Sequence, residues 1–333
     1  MSITYKILEN YEITTTEVVK NPFALDILNG LSENPKTIPT RYIYNAEGSK
    51  LFNSICELPE YYLTRCGLEI IEKYKSQIIE LLSGETFSLI ELGAGDGRKT
   101  SVLLDYFLMR GLNFQYVPID ISESAMHGLT SSIRNRFPKL NVNGLVAEYF
   151  NGIKWLEQRE QRRNLVLFLG SNIGNFSKID EMKFLRNLWH SLSHNDLLLI
   201  AFDLKKDIKL LNDAYNDSQG VTKEFNMNLL KRINNELGGE FNLSKFEFAA
   251  NYNPLSGAVE SFLISTEEQA VYVRDIDTTF YFKAWEPIHT EYSFKYTESD
   301  IRELASKTGY KIEKQFYDSK NYFTQSVWRV IKN

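Results

Sequence analysis

The stretch Leu89-Ile90-Glu91-Leu92-Gly93-Ala94-Gly95-Asp96-Gly97 constrains the fold more than any other part of the chain. A short apolar run containing an acid breaks into glycines at alternate positions, and a helical run from Lys99 to Met109 follows. Alternate glycines supply the positive φ angles of a tight strand-to-helix turn and let a ligand lie against bare backbone. Such a loop needs a sheet whose strands end at a ligand crevice, which is an α/β layout.

The spacing bears on which ligand. A dinucleotide loop reads G-x-G-x-x-G and meets a pyrophosphate at the helix start. Here the pattern is G-x-G-x-G, with Glu91 just before it and Asp96 inside it, where a pyrophosphate would meet like charge. The next strand, Phe114 to Ile119, ends at Asp120, where an α/β sheet places the acid that grips ribose hydroxyls. An acid, a glycine loop and a ribose acid suit S-adenosylmethionine, whose sulfonium and ammonium are both positive. Glu91, Gly93, Gly95 and Asp120 are therefore read as cofactor-binding.

At 333 residues and 43% hydrophobic content the chain has ample core for one large domain or two modest ones. A net charge of -5 disfavours a nucleic-acid partner, whose affinity rests on phosphate neutralisation. The short basic run from Arg159 to Arg163 reads as a solvated helix end. Cys56 and Cys66 are expected as reduced, packed thiols. With no leader or long apolar span in the sequence, a cytoplasmic location and no membrane partner are expected. His190 and His194 lie four apart without an evident third ligand, so no metal site is expected.

From about Phe87 to Phe202 strands alternate with helices. Strands are predicted at 87–92, 114–119, 140–146, 165–170 and 196–202, and helices at 99–109, 122–136 and 179–192. Beyond Leu204 the rhythm changes. Helices fit 207–215 and 223–237, and 271–282 alternates like a strand. A helix over 297–308, with Thr297 and Asp300 spaced for a capping box, then precedes strands at 311–317 and 323–331.

Several longer motifs carry a family resemblance. Tyr42-Ile43-Tyr44-Asn45-Ala46-Glu47-Gly48-Ser49-Lys50-Leu51-Phe52, Leu58-Pro59-Glu60-Tyr61-Tyr62-Leu63-Thr64-Arg65 and Phe168-Leu169-Gly170-Ser171-Asn172-Ile173-Gly174-Asn175 stand in order along the chain. Asp203-Leu204-Lys205-Lys206-Asp207, Ala214-Tyr215-Asn216-Asp217, Gly220-Val221-Thr222 with Phe225-Asn226, and Thr290-Glu291-Tyr292-Ser293-Phe294-Lys295-Tyr296 follow. Together these resemble the histidine Nα-methyltransferases of ergothioneine biosynthesis, from about residue 35 onward. The resemblance implies an α/β fold: a class I, Rossmann-like methyltransferase sheet with an inserted α+β substrate-binding domain. The core is expected over 28–206 and 295–333, and the auxiliary domain over 1–27 and 207–294.

The resemblance also implies an S-adenosylmethionine-dependent enzyme that methylates the α-amine of a free amino acid, histidine to hercynine in the histidine-specific members. By match to the family motifs, Tyr61, Asn175 and Tyr215 hold the carboxylate and amine, with Gly170 and Tyr44 close by. Glu291 and Ser293 hold the imidazole, Phe52 and Thr222 line the pocket, and Glu148 and Tyr149 join the cofactor residues. Tyr44 and Asn175 are the expected catalytic pair. The chemistry is consistent, since methyl transfer depends mainly on positioning the amine. Asn175 both donates and accepts, as a zwitterion requires. An independent reading makes Asn175 the cap of a helix starting near Ser177.

Three positions depart from the family pattern. Ser261 follows Val259-Glu260 where a methionine is usual, Trp285 precedes Glu286 where a glycine is common, and Leu63 replaces a proline. A serine empties volume and a tryptophan is expected to fill or reshape the pocket. The alternative substrates are another aromatic amino acid such as tryptophan or tyrosine, with one or two methyls transferred. A non-catalytic cofactor-binding subunit is the alternative from another class.

Overall fold

The computed structural model describes residues 5–8, 21–82, 86–157 and 162–332, so most of the basic run from Arg159 lies outside the described residues. The chain divides into two compact units. The first comprises Tyr62–Lys206 and Phe294–Asn333 with the N-terminal strand Tyr5–Ile7, and the second Tyr11–Tyr61 and Asp207–Ser293. Residues 28–61, expected in the core, therefore belong with the second unit. The cause is contact invisible to local pattern: Asn228 donates to Ile43 O and Asn45 Oδ1 at 3.1 and 2.9 Å, and Arg232 donates to Tyr42 O at 2.9 Å.

In the first unit one sheet runs in the order Tyr5–Ile7, Gly144–Val146, Phe114–Asp120, Phe87–Leu92, Arg163–Phe168, Leu197–Asp203, Phe323–Val330, Tyr310–Tyr317. The short strand Asn141–Val142 also pairs with Phe114–Asp120. Neighbours are parallel as far as Leu197–Asp203, and the two C-terminal strands add antiparallel. This is the Rossmann-like, doubly wound layout expected, extended at one edge by an antiparallel pair. All residues of Phe87–Leu92 and Leu197–Asp203 are buried, as parallel strands covered on both faces require. Strand order reverses between Phe87–Leu92 and Arg163–Phe168, which sets the ligand crevice beyond their carboxyl ends.

Helices Arg98–Met109, Glu123–Arg136 and Lys178–Ser191 fall within a residue of their predicted starts, the last two capped by Ser122 and Ser177. Since Ser177 is the cap, Asn175 is not. Thr297 and Asp300 form the expected capping box on Glu298–Lys307. The predicted strand 140–146 is broken into Asn141–Val142 and Gly144–Val146, and helix Tyr149–Glu157 was not foreseen.

The second unit is α+β. A four-stranded sheet runs Lys36–Thr37, Pro287–Phe294, Ala258–Ser265, Phe246–Asn253, beside a two-stranded hairpin, Gln269–Val273 with Thr278–Phe282. The single strand expected over 271–282 is thus two, because Asp277 turns the chain at φ +49°. Helices Pro22–Ser32, Ala46–Glu57, Ile208–Asp213 and Val221–Leu237 complete the unit. No described helix is long and apolar enough to cross a membrane.

Candidate functional site

In the first unit the glycine loop follows strand Phe87–Leu92 directly. Gly93, Gly95 and Gly97 all take positive φ, at +72°, +53° and +67°. A side chain is excluded at Gly93 on a second ground: a Cβ there would stand 2.7 Å from both Asn172 Nδ2 and the Tyr149 hydroxyl. Gly95 opens onto free space and its N–H donates to Asp120 Oδ2 at 2.8 Å. Asp120 Oδ1 accepts from Ser122 N at 2.9 Å. Burial pushes this carboxyl up, and the backbone N–H donors of Ser122 and Gly95 pull it back. Beside these backbone donors and that of Ile121, lone pairs remain on the two oxygens for a vicinal diol. This bare-backbone cradle with a diol acid at the next strand end fits the donor S-adenosylmethionine.

Glu91, expected among the cofactor-binding residues, is enclosed beneath the loop. It is buried, and the hydroxyls of Thr100 and Tyr116 donate to its two oxygens. Burial pushes its carboxyl up to about 7, against the pull of those hydroxyls and of Lys99. It therefore props the loop from beneath, tying the strand to the first turn of helix Arg98–Met109. Lys99, which sequence reading passed over, carries the nearby positive charge: its Nζ donates to Leu169 O at 3.1 Å, at the end of strand Arg163–Phe168. A cation so placed suits the carboxylate of a methionine-like ligand. The signal was its place in the first turn after the loop.

Tyr149 lies among Phe168, Phe176 and Phe184, ring centroids 5.3 to 6.2 Å away, and burial raises its hydroxyl. Glu148 immediately precedes its helix, beyond strand Gly144–Val146. Gly170 and Asn175 belong to this unit too, Asn175 closing the 3-10 turn Asn172–Asn175.

The remaining expected substrate residues lie in the second unit, most of them together. Asn45 caps helix Ala46–Glu57 by accepting from Gly48 N at 2.9 Å, and Asn228 fixes both Asn45 and Ile43, so Tyr44 between them is held from both sides. Gly48 is obligatory, since a Cβ would meet Ile43 O at 1.7 Å. Tyr44, Phe52 and Phe225 form a ring cluster with centroids 5.4 to 6.0 Å apart, and Tyr61 stands 6.3 Å from Phe52 and 6.2 Å from Tyr215. Phe225 was not among the expected site residues, although its motif was.

The Tyr215 hydroxyl pairs with Ser293 Oγ at 2.6 Å, both buried. Burial raises Tyr61 well above the ordinary phenol range, with Tyr215, Cys56, Tyr44 and Glu291 adding to it, so this hydroxyl stays protonated as a donor. Glu291 is buried on strand Pro287–Phe294, two residues from Ser293. Ser261 and Thr222 connect through one network: the Thr290 hydroxyl lies 2.9 Å from Asn226 Oδ1 and 3.1 Å from Ser261 O, and Asn226 Nδ2 donates to Thr222 O at 3.1 Å. Asp217 accepts from Val221 N and Thr222 N, both at 2.8 Å, fixing the start of helix Val221–Leu237.

Two departures from the family pattern resolve differently. Ser261 shares the buried side of its strand with Val259 and Leu263, while Glu260 accepts from Ser256 Oγ and Asn253 Nδ2 in its own hairpin turn. Trp285 fills no buried pocket. It is 70% exposed in a turn at φ +66°, a conformation a glycine adopts without strain.

The histidine-specific, S-adenosylmethionine-dependent methyltransferase family matches residues 23–330. The chain belongs to this family. A histidine N-alpha-methyltransferase of Mycobacterium tuberculosis is 34% identical, covering 84% of this chain and 87% of that protein. Ergothioneine biosynthesis protein 1 of Schizosaccharomyces pombe is 29% identical over 84% of this chain and 37% of its own length. An L-tryptophan methyltransferase of Psilocybe serbica is 29% identical over 85% of this chain and 86% of its own. The protein is thus an S-adenosylmethionine-dependent methyltransferase, and its glycine loop stands at the sheet's switch point.

Proposed function

We propose that this methyltransferase acts on the α-amine of free L-histidine and transfers three methyl groups, giving hercynine. The observation that carries the choice of histidine is the buried Glu291 carboxylate beside the Tyr215–Ser293 hydroxyl pair. An acid and a hydroxyl match the two nitrogens of an imidazole, one donating and one accepting. The mycobacterial relative, named as a histidine N-alpha-methyltransferase, supports the histidine α-amine as the acceptor.

The bound donor supplies an electrophilic methyl on a sulfonium. The chain's task is to hold, orient and deprotonate. Gly93, Gly95, Asp120, Glu148 and Tyr149 are assigned to the donor, with Glu91 beneath them. Tyr61 and Tyr215 are assigned to the zwitterionic end of the substrate. Tyr61, held protonated by its burial, donates to the carboxylate. Thr222 and Ser261 line the ring end with Glu291 and Ser293. Each methyl removes an N–H donor from the amine while its charge persists, so recognition passes from hydrogen bonds to the ring faces of Tyr44 and Phe52. We place the enzyme in the cytoplasm, acting on a small molecule.

Release of S-adenosylhomocysteine, measured across the free amino acids, tests the proposal. Turnover with histidine well above all others is expected. A preference for tryptophan, as the Psilocybe relative's name describes, would overturn the choice of histidine.

A further inference from the structure

Asn172 stands where strand order reverses. It follows strand Arg163–Phe168 by way of Ser171, whose φ of +60° is strained for a non-glycine residue and turns the chain sharply. Two glycines from two different strand ends make room for its carboxamide. A Cβ on Gly93 would meet Asn172 Nδ2 at 2.7 Å, and a Cβ on Gly170 would meet Asn172 Oδ1 at 2.5 Å. Its Nδ2 donates to the Tyr149 hydroxyl at 3.1 Å, which fixes the amide's orientation. That bond uses one of two N–H donors, and a carboxamide oxygen has two lone pairs.

We infer that Asn172 is a donor-binding residue that recognises the amino-acid end of S-adenosylmethionine. The inference rests on the reading that the Gly93 loop holds the donor. The direction follows from the sheet. Asp120, the diol acid, ends the strand on one side of Phe87–Leu92, and Asn172 follows the strand on the other. Adjacent strands lie about 4.8 Å apart, so the two groups bracket Gly93 across roughly 10 Å. A ligand whose ribose is held at Asp120 and which crosses the bare face of Gly93 brings its far end to Asn172. Lys99 Nζ, at Leu169 O, supplies the cation for the carboxylate of that same end. Asn172 adds what a lysine lacks, an acceptor for the ammonium beside a donor for the carboxylate.

Calorimetry with two product-like ligands tests this without turnover. S-adenosylhomocysteine carries the amino-acid end, and 5′-methylthioadenosine lacks it. Asn172→Ala should weaken S-adenosylhomocysteine about tenfold or more, the loss expected for hydrogen bonds to charged groups, and leave 5′-methylthioadenosine unchanged. Unchanged affinity for both ligands overturns the inference. An equal loss for both also overturns it, since Asn172 would then merely shape the loop. Gly93→Ala separates the underlying reading: its Cβ should weaken both ligands, and normal binding of both would remove the loop itself from the donor site.

Discussion

Replacing Glu91 with glutamine should change how stability depends on pH, by an amount that the burial of this carboxyl sets. The group is enclosed beneath the glycine loop and sits at about 7 against an ordinary 4.5. A raised folded value means that the folded protein holds the proton more tightly than the unfolded chain. As pH rises through 4.5 the unfolded chain ionises first, stability falls until the folded carboxyl ionises near 7, and above that the full cost is present. That full cost is about 3 kcal/mol, of which about 2.5 kcal/mol develops between roughly pH 5 and pH 8. Glutamine has no charge to desolvate, and its amide can accept from one of the Thr100 and Tyr116 hydroxyls while donating to the other. Urea denaturation of both proteins across this range, at constant m-value, reads the difference directly. The glutamine variant should gain on the wild type by about 2.5 kcal/mol from about pH 5 to about pH 8. Parallel profiles, or a variant that falls behind at high pH, would refute the reasoning and make Glu91 a stabilised carboxylate.

Three further outcomes follow from the geometry. Glu291→Gln should weaken histidine binding by roughly ten- to a hundredfold while S-adenosylhomocysteine affinity stays unchanged in calorimetry, and an unchanged histidine affinity would take Glu291 out of the site. Trp285→Gly should stabilise the protein by about 1 kcal/mol, because it relieves a left-handed backbone at an exposed position; a lower melting temperature would mean the indole packs usefully. Gly48→Ala should raise the KM for the amino acid more than that for the donor, because its Cβ collides with Ile43 O beside Tyr44, and an unchanged acceptor KM would show that Tyr44 does not depend on this turn.

The first unit was readable because each signal was local. Glycines at alternate positions, an acid closing the next strand and a Thr-x-x-Asp cap need only a few residues, and the sheet follows from their order. Strand Pro287–Phe294 escaped for a physical reason. Its buried positions are Ile288, Thr290, Glu291, Ser293 and Phe294, so the buried polar residues Thr290, Glu291 and Ser293 interrupt the apolar ones and no clean apolar alternation shows. The allegiance of 28–61 escaped because Asn228 and Arg232 reach it across about 185 residues of chain. At the candidate site, motif resemblance supplied Tyr61, Tyr215 and Glu291. Lys99 was marked only by its place in the first turn after the glycine loop, and Asn172 emerged only when two strand ends stood side by side, since nothing in the local pattern marks an asparagine in a turn as facing a glycine elsewhere.

The most direct test of the central claim is mass spectrometry of the small-molecule products formed by the purified protein from S-adenosylmethionine and L-histidine, with fragmentation to locate each methyl. The account predicts successive gains of one, two and three methyl groups, all on the α-nitrogen, with the trimethylated species accumulating. Unmodified histidine alongside a methylated second amino acid, or methyl groups on the imidazole ring, would contradict it.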